Sequence, residues 1–123
     1  MTWLAVAFGG ALGALSRFAL MLLLPANAPN FPWAIWIANV MGSVLLGLFY
    51  VLAMEKGMMP QTWRPFIAVG FLGALTTFSS FALDGILLWQ QGQSVIAITY
   101  IVSTLVLCLV GTASTILLAQ RFF

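Results

Sequence analysis

Long apolar runs alternate with short polar breaks along this chain. Four runs stand out: Trp3 to Leu24, Trp33 to Met54, roughly Pro65 to Trp89, and roughly Val95 to Leu118. A membrane-spanning helix needs about 20 mostly apolar residues, and at about 1.5 Å per residue each run covers roughly 30 Å or more. The breaks are equally plain. PANAPNFP at 25–32 holds three prolines and two asparagines and predicts a turn. EKGMMPQTWRP at 55–65 carries half of the charged residues, and QQGQS at 90–94 is polar and glycine-centred. Trp3, Trp33, Trp36, Trp63 and Trp89 sit near run ends, where indole rings favour the membrane interface. The pattern predicts an all-α integral membrane protein, one domain over 1–123 with four transmembrane helices.

Composition sharpens this. Hydrophobic residues make up 63 % of the chain and charged residues 5 %, against about 25 % charged in soluble domains. A net charge of +2 without a basic patch gives nucleic acid nothing to bind. The single Cys108 excludes an intrachain disulfide. There is no histidine, and the two carboxylates, Glu55 and Asp84, lie far apart. Most acid–base catalysis and most transition-metal sites are thereby excluded, and no enzyme is expected. The N-terminal MTWLAVAFGGALGAL lacks a basic start and is followed closely by a second apolar run, so it is not read as a signal peptide. Four spans place both termini beside the 55–65 loop. Lys56, Arg64 and Arg121 fall on that side, a small bias toward termini inside.

Polar and small residues inside the runs carry the candidate chemistry. Gly9, Gly13 and Arg17 share one helical face. The glycines read as close helix packing. An arginine within a span costs several kcal/mol at the bilayer centre, so Arg17 either snorkels or lines a basic vestibule. Asn39, Ser43 and Gly47 form a second line, with Gly42 beside it. Asn39 serves either an interhelical hydrogen bond or an amide N–H offered to a passing ligand. Tyr100, Thr104, Cys108 and Thr112 recur at every fourth position, a polar stripe that suits one wall of a track. Isolated hydroxyls of this kind more often bond their own backbone.

The densest stretch is GFLGALTTFSSFALD at 70–84. Gly70 and Gly73 precede two β-branched threonines, a poor helix-forming sequence, so the third helix is expected to break near its middle. Backbone unwound at membrane depth must be buried in protein or line a site, and its freed carbonyls suit a hard cation such as Na⁺. Phe78 and Phe81 lie on one face. Simple packing is one reading. The other uses the positive ring edges, which hold a small anion weakly enough to let it leave again. GALGALSRF at 10–18 and GFLGALTTF at 70–78 also resemble each other.

Three segments resemble a known family. GGALGALSRF at 9–18, NVMGSVLLG at 39–47 and GFLGALTTFSSF at 70–81 are similar, in order and spacing, to the motifs of the Fluc/CrcB fluoride channels. The third motif is the specific one. The resemblance implies an antiparallel dual-topology dimer in the bacterial inner membrane, made with a second copy or a related subunit. It implies two fluoride pores and passive export of F⁻. A central Na⁺ would rest on the carbonyls of Gly73 and Thr76. The aromatic box would be Phe78 and Phe81, with Ser79 and Ser80 just beyond as weak donors. Asn39 would be the pore asparagine and Arg17 the vestibule arginine. The polar track would fall on Tyr100, Thr104, Cys108 and Thr112. Cys108 departs from the expected hydroxyl, and Asp84 stands where relatives often have Glu.

Two rival readings have different requirements. A small drug/proton antiporter needs a membrane-embedded carboxylate, usually in the first helix, and none is present there. A structural subunit of a larger membrane complex fits the scarcity of catalytic groups, but does not require the TTFSSF run.

Overall fold

A computed structural model describes residues 1–24 and 31–123; the expected turn at 25–32 falls mostly on 25–30, outside the described residues. Helix α1 spans Thr2–Leu23 and α2 spans Trp33–Phe49, the latter running on into a π-helical turn, Tyr50–Glu55. A short 3₁₀ turn at Gln61–Trp63 leads into a π-helical segment, Pro65–Leu72, and then α3, Gly73–Leu75. After an interruption at Thr76 and Thr77 come α4, Phe78–Gln90, and α5, Ser94–Phe122. Four helical stretches are long and apolar enough to cross a membrane: Thr2–Leu23, Trp33–Glu55, Gln61–Gln90 and Ser94–Phe122. No strand occurs among the described residues.

Hydrocarbon offers no hydrogen-bond partners, so a spanning chain must satisfy its own backbone. The helices do so, with two local variations. In the π-helical stretches the bonds reach five residues back: Lys56 N–H donates to Val51 O at 2.9 Å, and Gly73 N–H donates to Ala68 O. Pro65 opens its segment at a position where its missing N–H is not needed. Between α4 and α5 the chain reverses through Gly92, whose φ of +78° suits glycine.

Small residues decide how closely the helices approach. A Cβ built at Gly9 would strike the Phe66 carbonyl oxygen, and one at Gly13 would strike that of Phe71. A Cβ on Gly70 would lie 2.8 Å from Val6 O and 3.0 Å from Gly10 N. These contacts climb both helices together, so α1 and the third span run parallel. The two similar segments, 10–18 and 70–78, lie side by side. Close packing is thus the role the structure gives the α1 glycines.

Helix α2 sits centrally, burying Ala34, Ile35, Ala38, Asn39, Gly42 and Phe49 among others. One core cluster joins Ile35, Phe81, Leu88, Ala97 and Tyr100, and a second joins Ala38, Leu72 and Leu75. Thr112 Oγ1 donates to Ser43 O at 3.1 Å, and Gln120 Nε2 donates to Glu55 Oε2 at 2.9 Å, tying α5 to the α2 arm. Large apolar side chains such as Phe8, Leu22, Leu109 and Leu117 are exposed, a surface suited to lipid or to another protein chain.

Candidate functional site

The third span is interrupted near its middle, at the two β-branched threonines Thr76 and Thr77 of the poor helix-forming stretch, while the glycines before them stay helical. Gly73 is helical (φ −63°, ψ −34°), while Thr76 (φ −83°, ψ 152°) and Thr77 (φ −154°, ψ 118°) are extended. Gly70 serves the contact with α1, and the break falls on β-branched residues, to which extended backbone comes easily.

Each threonine finishes one half of the span. Thr76 N–H and Oγ1 both donate to Leu72 O, at 3.1 and 2.9 Å, and close the incoming helix. Thr77 caps α4: its Oγ1 accepts from Ser80 N–H at 3.2 Å and lies 3.2 Å from Ser79 Oγ. Neighbouring helices take the freed peptide groups. Arg17 Nη1 donates to Thr76 O at 3.2 Å. Asn39 Oδ1 accepts from Thr77 N–H at 2.7 Å, while its Nδ2 donates to Thr77 O at 3.0 Å. Thr77 N–H is purely a donor, so it fixes which end of the carboxamide is oxygen.

Beside the break lies an open cleft of about 460 Å³. It brings together eight of the residues singled out in the sequence: Asn39, Ser43, Gly73, Thr76, Phe78, Phe81, Thr104 and Cys108. The rings of Phe78 and Phe81 are 5.5 Å apart, yet their settings differ. Phe78 is 75 % exposed and Phe81 is 6 % exposed. Phe81 backs onto Tyr100 at 5.4 Å.

The remaining candidates lie off the cleft wall. Ser79 and Ser80 belong to the Thr77 cap. Tyr100 is fully buried, and its hydroxyl donates to Asp84 Oδ2 at 3.3 Å. Thr112 is bonded to Ser43. Arg17 reaches the cleft only through Thr76. Thr104 does line the cleft, but its Oγ1 donates to Tyr100 O at 2.6 Å, four residues back along its own helix. Sequence reasoning set Ser43 on the Asn39 line without giving it a lining role, and missed Thr77 as a lining residue. Thr77 carried a signal: a threonine at a helix restart, with serines two and three places on, is an N-cap pattern.

Thr77 N–H, which a continuous helix would give to the Gly73 carbonyl, goes to Asn39 instead, and the carbonyls of Gly73, Ala74 and Leu75 end the incoming helix. They face the break as the carbonyl end of α3, while the N-terminus of α4 faces it from the other side. Neutral carbonyls of this kind suit a hard monovalent cation, and that of Thr76 already accepts from Arg17. A cluster of His, Cys, Asp or Glu for a softer metal is lacking among the described residues.

Known proteins share this arrangement of segments. Residues 4–116 match the family model described as CrcB-like protein, Camphor Resistance (CrcB). A "Fluoride-specific ion channel FluC" of Saccharophagus degradans is 45 % identical over 119 residues, covering 97 % of this chain and 90 % of the relative. Proteins of the same description from Rhodospirillum rubrum and Paracoccus denitrificans are 42 % and 35 % identical, covering 90 % and 99 % of this chain and 88 % and 97 % of the relatives. The match reaches all four spans and includes the break and the cleft beside it: this chain belongs to the CrcB-like family.

Proposed function

We propose that the chain is a subunit of a fluoride-specific passive channel in the bacterial inner membrane. The observation that carries this reading is the cleft itself. It is lined by aromatic rings, an amide, hydroxyls and a thiol, with no charged side chain on its wall. Such a surface meets a small anion with weak donors and positive ring edges, and weak sites allow the ion to leave. The relatives named as fluoride-specific channels supply the ion's identity.

On this reading fluoride passes along Phe78 and Phe81, with Asn39, Thr104 and Cys108 beside it. Ser79, Ser80, Tyr100 and Thr112 belong to the same route at its margins, and Arg17 biases its entrance toward anions. The cleft is open along one side, so a second copy, or a related subunit, in antiparallel orientation completes the wall. The carbonyls of Gly73 and Thr76 from both copies hold Na⁺ at the centre, where it supplies fixed positive charge. Export needs no energy-coupling element: a negative interior drives an anion outward by about 2.3 kcal/mol per 100 mV.

The test is efflux from liposomes holding the purified protein, with fluoride and chloride followed side by side. Fast loss of fluoride with retention of chloride is expected. Well-folded protein that releases no fluoride, or releases both ions alike, would overturn the proposal.

A further inference from the structure

We infer that α2 carries the template for the break in the third span: Asn39 and Gly42 are positioning residues that hold Thr77 and Thr76 out of the helix. Local sequence does not force the break. It contains no proline, the adjacent glycines are not at the interruption, and both threonines occupy ordinary extended backbone. What decides is whether the freed peptide groups find partners. Each one left unsatisfied in hydrocarbon costs several kcal/mol. A continuous helix would direct Thr77 N–H to Gly73 O. Instead the Asn39 side chain takes both the N–H and the C=O of Thr77, at 2.7 and 3.0 Å, as a neighbouring β-strand would. A carboxamide places a donor and an acceptor side by side like a peptide. One helical turn on, Gly42 leaves the space that Thr76 Cγ2 fills; a Cβ there would strike that methyl group. The Asn39-x-x-Gly42 spacing of α2 is thus complementary to the adjacent Thr76–Thr77 pair. Asn39 is 7 % exposed and Gly42 is buried, so both are committed to this contact. Through it they set where the α3 carbonyls, the N-terminus of α4 and Phe78 point.

The test reads the break directly. Amide hydrogen exchange is followed at Thr77 in the purified full chain, for wild type, Asn39→Ala, Asn39→Asp and Gly42→Ala. The wild-type amide should exchange slowly although it lies outside the helical ladder; fast exchange there overturns the inference without any variant. Asn39→Ala should speed Thr77 exchange by roughly tenfold or more, the loss expected for one buried hydrogen bond, while amides in the body of α4 stay protected. Asn39→Asp keeps the acceptor and should fall between. Gly42→Ala should also speed Thr77 exchange, because the added methyl displaces Thr76. Unchanged Thr77 protection in folded Asn39→Ala, or an equal rise along the whole chain, sinks the idea.

A second arm rests on the channel reading. If Asn39 acts through the break, raising Na⁺ should restore fluoride efflux in Asn39→Ala. Efflux that stays lost with an unmoved Na⁺ midpoint would mean that Asn39 acts on the anion directly. Wild-type efflux indifferent to Na⁺ would remove the cation from the reading and leave exchange at Thr77 to decide.

Discussion

Replacing Phe78 and Phe81 by isoleucine, one at a time, separates conduction from packing, because the two rings differ so much in burial. Area-based transfer from water is the wrong scale here, since the reference medium is lipid and packing supplies the energy. The energy at stake is that of the ring pairings each substitution removes. Phe81 faces two rings, Phe78 at 5.5 Å and Tyr100 at 5.4 Å. At about 0.5–1.5 kcal/mol per aromatic pair, Phe81→Ile should cost about 1–3 kcal/mol. Phe78 is exposed and pairs with Phe81 alone, so Phe78→Ile should cost about 0.5–1.5 kcal/mol. Thermal unfolding in detergent, followed by tryptophan fluorescence, should therefore rank Phe81→Ile below Phe78→Ile and wild type. Efflux should not follow that ranking. If both ring edges meet the anion, both variants should lose fluoride efflux by at least about tenfold, equivalent to about 1.4 kcal/mol of barrier. Efflux that falls only with stability, intact in Phe78→Ile and reduced in Phe81→Ile, would refute the ring-edge argument. So would efflux that survives in both folded variants.

Four further outcomes are expected. Gly13→Leu should leave little folded protein on size exclusion, or lower its melting temperature sharply. The new side chain must displace the Phe71 carbonyl, and overpacking of this kind costs typically about 1–3 kcal/mol or more; a wild-type melt would contradict the close approach of α1. Replacing Na⁺ by N-methylglucamine should lower both stability and fluoride efflux. Arg17→Gln should shift the Na⁺ midpoint to lower concentration, because the guanidinium shares the Thr76 carbonyl and repels a second cation by about 1–3 kcal/mol; a weaker midpoint would show that Arg17 orients the carbonyl instead. A thiol-specific methanethiosulfonate reagent should slow efflux through Cys108 on the cleft wall, and Cys108→Ser should resist it while conducting at least as well, a hydroxyl being the better donor. Modification without effect on efflux would place Cys108 off the path.

Four spans are legible in the sequence because a bilayer sets a minimum apolar length, and a run of that length is visible without knowing its neighbours. Close packing at Gly9 and Gly13 is legible from their spacing for the same reason: it needs only one face of one helix. A break near the middle of the third span is legible too, at its two threonines, but not what holds it open. Gly70 and Gly73 draw attention as weak helix formers, whereas the determining partner, Asn39, lies 38 residues away from Thr77 in sequence. A hydrogen bond over that distance has no local signature. The α5 stripe shows the same limit. Its four residues share a face, yet their fates diverge: Thr104 and Cys108 line the cleft, Tyr100 turns to Asp84, and Thr112 bonds Ser43. Periodicity finds the face, and only the neighbouring helices settle what each residue on it meets.

The π-helical segment at Pro65–Leu72 bears on which changes of length this chain can tolerate. A π turn holds one residue more than an α turn of similar rise. Deleting a single residue there would let the segment relax to α geometry with its backbone still bonded. The part of the span before the deletion would stay close to its present register, whereas a deletion from a plain α-helix rotates it by about 100° and moves it by about 1.5 Å. The Phe66 carbonyl would stay near Gly9, and Gly13, Thr76 and all beyond would keep their partners. A deletion between Gly73 and Phe81 would instead turn Thr77 away from Asn39 or carry Phe81 off Tyr100. Insertions and deletions across descendants of this sequence should therefore collect on the π-helical side of the break and be purged from the other.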